Sequence, residues 1–179
     1  VETTGADSAV DLLASATGTR KLFDKAQFKT IAKSFANTDQ VGIKTALLTA
    51  NHYYQFLESL SEAERTDIGR VADMTKGLVG RFMDFDIIMR SSVLRYRKVS
   101  TVWTLVDEQD DAFAAGAGDS AASLFWVDSC VERAVGETVV FDDNGNPLYY
   151  GDVFSAYQRL GGRIRRTSGV KAVVEAIGA

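Results

Sequence analysis

The residue types behind most enzyme chemistry are scarce in this chain: one histidine, His52, and one cysteine, Cys130, among 179 residues. A serine nucleophile needs a base to take its proton, and His52 is the sole imidazole that could serve. No Gly-x-Ser-x-Gly elbow accompanies it, so the spacing predicts a structural or surface histidine on a helix begun near Asp39. Zinc requires several histidine or cysteine ligands, and with one of each no metal site is expected. Cys130 lies in Asp128-Ser129-Cys130-Val131-Glu132, between acids that disfavour a thiolate, and reads as a buried, inert thiol on a helix.

Two local patterns imitate binding loops and fail on their neighbours. Asp142, Asn144 and Asn146 place oxygens at alternate positions, as a calcium loop does. Pro147 then stands where that loop needs glycine, and Val153 where it needs a bidentate glutamate. Gly116-Ala117-Gly118-Asp119-Ser120-Ala121 fits G-x-G-x-x-A, but the acidic stretch from Glu108 to Ala115 is not the strand a dinucleotide site requires. Hence no cofactor is expected.

Charge is the more informative pattern. The net charge of −4 favours solubility and argues against wholesale nucleic-acid binding, yet the cations are clustered. Lys76, Arg81, Arg90, Arg95, Arg97 and Lys98 form one group; Arg159, Arg163, Arg165, Arg166 and Lys171 form another, opposed in sign by Asp107 to Asp111. Guanidinium forks grip carboxylates and phosphates through paired hydrogen bonds. Arg95, Arg97, Arg163, Arg165 and Arg166 are therefore the candidate partner- or phosphate-binding residues.

The elements that must position these groups read as helices. There is a single proline, Pro147, and proline is selected against inside helices because it removes a hydrogen bond and clashes with the preceding turn. Asp24 with Gln27, and Ser61 with Glu64, have the spacing of helix N-caps. Phe28, Ile31, Ala32 and Phe35 form one apolar stripe on a helix ending near Asn37. Further helices are expected over 7–16, from Asp39 through Leu57, and from Ser61 to Val79. Others follow over 119–134, 152–160 and 168–177. The longest periodicity runs through Phe85, Met89, Ser92, Tyr96, Val99, Trp103 and Val106, and predicts a central helix over 82–107 with one continuous seam. Thr138 to Phe141 and Leu148 to Tyr150 flank an Asn144-Gly145 turn signal, which predicts one small β-hairpin over 138–150.

The expected architecture is thus an all-α, mainly helical bundle of roughly six to eight helices with that hairpin, forming a single helical domain over 1–179. No apolar stretch approaches the roughly 18 residues that span a bilayer, so no membrane span is expected. The chain opens at Val1 with no signal-peptide pattern, as a processed or trimmed form would.

With no recognisable catalytic constellation, the leading expectation is a non-catalytic structural or interaction subunit that binds a protein partner or itself through the seam and the charged clusters. A nucleic-acid-packaging, coat-like protein using the basic clusters is the first alternative. A small-molecule or cofactor binder with a pocket between helices is the second.

Overall fold

In the computed structural model, which describes residues 1–9, 19–73, 77–106, 119–146 and 151–177, the cap signals hold and most of the helices do not. Helix α1 (Lys25–Ala36) begins where Asp24 accepts a hydrogen bond from the Gln27 amide at 2.8 Å, and Phe28, Ile31 and Phe35 form its buried stripe. Helix α2 (Ala50–Glu58) starts later than Asp39, at a Thr49 cap, because Lys44–Thr49 is extended as strand β3. Helix α3 (Glu62–Gly69) carries the Ser61–Glu64 capping box and stops at Gly69. Among the described residues these are the α-helices.

The expected all-α bundle is contradicted: the molecule is mainly β-sheet. The 82–107 seam lies across strands β4 (Leu78–Phe82), β5 (Phe85–Arg90), β6 (Leu94–Val99) and β7 (Val102–Leu105). Met83 and Asp84 turn β4 into β5 with both φ angles positive, 47° and 66°, and Ser100 does so between β6 and β7 at 58°. Paired positive φ angles suit the twist of a two-residue hairpin, so the chain reverses where a helix would have continued. Tertiary pairing of β-branched and aromatic residues overrode a fortuitous 3.6-residue spacing.

The expected helix over 119–134 is strand β8 (Asp119–Val127), followed by a 3-10 turn over Asp128–Cys130. The helix expected over 152–160 lies within a long strand, and that over 168–177 is largely strand β11 (Val170–Val174). Asp7–Ala9 is strand β1, paired with β2 (Thr19–Lys21), while residues 10–16 of that expected helix lie outside the described residues. So do the acidic 107–111 segment and glycines 116 and 118.

Strand β8 is the hub of a seven-stranded mixed sheet. Residues 124–126 pair with both β3 and β11, which therefore occupy opposite edges of β8. Ala122 pairs with both Leu94 of β6 and Val174 of β11, so β6 lies on the same edge as β3, end to end with it. Beyond β3 come parallel β5 and antiparallel β4; beyond β6 comes β7.

The helices cover one face of this sheet. Phe28, Ile31 and Phe35 of α1 and Phe56 of α2 meet Phe85, Ile87, Phe125, Val127 and Val173 of the strands, all buried. Phe28 lies at the centre, stacked on Phe56 (ring centroids 5.0 Å apart) and edge-on to Phe82, Phe85 and Phe125 at 5.2–5.6 Å. Offset and edge-to-face contacts of this kind add to the burial term. Among the described residues no helix is long and apolar enough to cross a membrane.

A candidate assembly interface

Besides the short β1–β2 pair, two long strands belong to no part of the main sheet. Strand β9 (Val131–Asn146) and strand β10 (Gly151–Ile164) pair only with each other, antiparallel, as a two-stranded ribbon. At about 3.3 Å per residue, such strands reach roughly 45 Å. The expected hairpin over 138–150 is thus part of a longer one. Its Asn144-Gly145 turn signal falls inside β9, and residues 147–150 lie outside the described residues.

The local sequence explains the strands. Thr138-Val139-Val140-Phe141 and Val153-Phe154 are β-branched and aromatic runs that suit a pleated surface. Between Gln158 and Leu160 the register slips, with Val135 opposite Leu160 and Thr138 opposite Gln158, so β9 carries one extra residue there. Such a bulge bends the ribbon and sharpens its twist. Gly136 sits at the bulge, where a Cβ would come within 3.1 Å of the Arg159 Cβ.

Directly paired residues share a face and successive ones alternate. One face therefore carries Ile164, Leu160 opposite Val135, Ala156 opposite Val140, and Phe154, interrupted by Arg133, by Gln158 opposite Thr138, and by Asp142 opposite Phe154. Ile164, Leu160, Val135, Val140 and Phe154 are each more than half exposed. The other face is mixed as well: Val139 opposite Tyr157, Phe141 opposite Ser155, and Glu132 opposite Arg163. Arg159 lies over the Tyr157 ring, its charge 5.5 Å from the ring centre. A shallow hollow of about 470 Å³ opens at the base, lined by Glu132, Arg133, Ala134, Gly161, Gly162 and Arg163.

The base is fastened to the sheet. Arg165 donates its amide hydrogen to the Cys130 carbonyl at 2.8 Å, and a second 3-10 turn (Thr167–Gly169) packs beside the first. Cys130 is buried, as its sequence context predicts, though on this turn rather than a helix; its thiol donates to Gln40 Oε1 at 2.9 Å.

The five candidate arginines separate into two environments. Arg163 and Arg165 pair with Glu132 at 2.5 and 2.9 Å, and Arg166 is exposed beside them at the ribbon's base. Arg95 and Arg97 sit on β6 instead, converging on buried Asp119. Arg97 grips it bidentately at 2.6 and 3.0 Å, and Arg95 approaches at 3.8 Å. Burial pushes the Arg95 guanidinium below its ordinary pKa, against the pull of Asp119.

One further constellation escaped the sequence reading. His52, on α2 as a histidine inside a helix should be, meets Ser123 of β8 and Glu175 just beyond β11. All three side chains are fully buried, so the serine is closed to any substrate in this conformation. No linear spacing could reveal contacts between residues so far apart in the chain. Among the described residues no cluster of three or more metal-ligating side chains occurs.

No protein-family model matches the sequence, and no curated protein matches it. Three solved structures do match over nearly the whole chain. A chain from Mycobacterium phage Che8 is 15% identical with a TM-score of 0.54, the match covering 97% of this chain and 51% of that one. A chain from the capsid of Ralstonia phage GP4 is 13% identical with a TM-score of 0.56, covering 99% and 53%. One from the capsid of Cyanophage P-SCSP1u is 14% identical with a TM-score of 0.51, covering 99% and 52%. The present chain thus spans about half the length of each, and what it has in common with them is a fold found in phage capsids.

Proposed function

We propose that this chain is a structural subunit of a capsid-like shell, and that its β9–β10 ribbon lies against a neighbouring copy. The observation that carries the reading is the ribbon itself. A lone two-stranded hairpin is marginal in water, and this one exposes large apolar side chains at intervals along most of its length. Covering a leucine- or phenylalanine-sized side chain is worth about 1.5–3 kcal/mol, so a neighbour seated on Val140, Phe154 and Leu160 would be held firmly. Fold likeness to chains from capsids, which are built from many copies, supplies the kind of partner. The subunit reading no longer rests on a seam along a central helix, since that helix does not exist.

Arg163, Arg165 and Arg166, at the ribbon's base, are proposed to set the register of that contact against an acidic patch of the neighbour. Arg95 and Arg97 are directed at Asp119 within the chain's own fold.

Sedimentation across a concentration series tests the proposal. The wild-type chain is expected to associate, and the paired substitution Phe154→Asp with Leu160→Asp to stay monomeric while keeping the wild-type circular dichroism spectrum. A wild-type chain that remains monomeric at every concentration, or a charged pair that associates equally well, would remove the ribbon from the interface.

A further inference from the structure

Ser123, His52 and Glu175 take no part in the ribbon, and their arrangement points to a different property. Ser123 lies opposite Val173 in the β8–β11 pairing, and Glu175 follows two residues later on the same face. The Glu175 amide donates to the Ala121 carbonyl at 3.1 Å, and the Ala176 amide donates to Thr3 Oγ1 at 2.8 Å. Over this face sits the first turn of α2, with His52 Nδ1 2.6 Å from Ser123 Oγ and Nε2 3.3 Å from Glu175 Oε1. Ser123 Oγ also accepts from the Thr49 amide at 3.0 Å. Neither Glu175 oxygen nor His52 Nε2 has a hydrogen-bond partner, and the described ion-pair partner of Glu175 is His52.

The surrounding charges come from several elements. On β6, Arg95 stands opposite Ala121 on this same face, and with Arg97 it is directed at Asp119 of β8. Arg20 of β2 donates to the Asp119 carbonyl at 2.9 Å. Tyr53 follows His52 on α2, its hydroxyl pKa pushed up by burial. Glu2, on the amino-terminal segment, is turned to Lys98 and Trp103 near the surface. On α1, Gln27 is neutral.

We infer that His52 and Glu175 hold one proton between them, and that this buried pair is an acid-sensitive latch fastening the end of β11 to α2 and β8. With one proton the pair is neutral as a whole, either as imidazolium and carboxylate or as neutral ring and carboxylic acid. The proton belongs to the pair rather than to either residue. In both arrangements Nδ1 carries a hydrogen, which Ser123 Oγ accepts beside that of the Thr49 amide, filling both its lone pairs. A second proton leaves a net positive charge with no access to water, which burial strongly opposes. Releasing Glu175 to solvent relieves it, and takes with it the Glu175 and Ala176 backbone bonds and the Lys21 amide bond to the Ala176 carbonyl. This inference stands whether or not the chain assembles through its ribbon.

Because His52 is the only histidine, protein labelled with ¹⁵N-histidine gives a single pair of ring nitrogen resonances to read directly. A hydrogen on Nδ1 at neutral pH is expected. A bare Nδ1 with the hydrogen on Nε2 would overturn the inference, since the carboxylate would then be balanced by Arg20 or Arg95. Amide exchange, corrected for intrinsic rates, tests the release. Below about pH 4.5, where a solvated carboxyl takes up the second proton, protection at Glu175, Ala176 and Lys21 should fall relative to Ile87 and Ile88, by up to about tenfold per pH unit for one linked proton. The paired substitution His52→Gln with Glu175→Gln should abolish that difference. Undiminished protection in the wild-type chain, or the same loss in the substituted one, would sink the latch; the wild-type measurement decides even if the variant fails to fold.

Discussion

Strand β8 and the β9–β10 ribbon are built from the same kinds of residue and meet opposite fates. In β8 both faces are covered or half-covered: Phe125 and Val127 are buried against the helices, while Leu124 and Trp126 look the other way and stay partly shielded. In the ribbon, Val140, Phe141, Phe154 and Leu160 are exposed on both sides of a single layer. An apolar strand announces that it will be covered, and it does not say by which chain. Truncating one aromatic in each region breaks or sustains the contrast. Phe125→Ala should cost the single chain about 3–5 kcal/mol in denaturant unfolding, because the ring fills the centre of the core. Phe154→Ala should change the same measurement by less than about 0.5 kcal/mol in dilute, unassociated protein. Equal losses would mean that the ribbon is part of the core after all.

The junction between the two regions is the next place to press. Gly169 packs so closely on the first 3-10 turn that an added Cβ would stand 2.2 Å from Cys130 Sγ and 2.6 Å from its Cβ. The terminal Sγ could rotate away, but the Cβ is fixed to the backbone, so the turn must move. Gly169→Ala should destabilise by about 1–3 kcal/mol, a typical overpacking effect, and should expose Cys130 to a thiol reagent at a faster rate. Should the variant react no faster than wild type and melt with it, the base of the ribbon is looser than its contacts imply.

What the sequence made legible was local. Asp24 and Ser61 announce their helices because a cap is a contact between residues three apart, and both caps form. The scarcity of proline excludes proline-rich coil but does not select helix, because sheet interiors reject proline as helices do, since it cannot donate to the ladder. Phe85 and Ile87 alternate in burial as a strand requires, yet Phe85 and Met89 also satisfy a helical spacing, and the turn at Met83-Asp84 carries no glycine to give it away. Likewise, the arginines were visible as clusters, but only the pairing of β6 with β8 brings Arg95 and Arg97 onto Asp119. The His52–Ser123–Glu175 group depends wholly on sheet topology, which no periodicity encodes.

The smallest effect expected separates body from ribbon by pH. Glu64, in the α3 capping box, accepts from Lys25 Nζ and from Ser61, and the Lys25 contact foremost holds its carboxyl down at about 2, against an ordinary value of 4.5. A carboxyl depressed on folding stabilises the folded state above its unfolded value, and that contribution disappears as the pH falls through the folded one. The wild-type chain should therefore melt slightly above Glu64→Gln near neutral pH, and the gap should close between about 4.5 and about 2. The group is solvent-exposed, so salt should shrink the gap as well. Because the contact ties the start of α1 to α3 in the helical layer, the ribbon's amide exchange should be indifferent to the substitution. A ribbon that loosens with Glu64→Gln would show the two regions to be energetically coupled, and would undo the separation drawn between them.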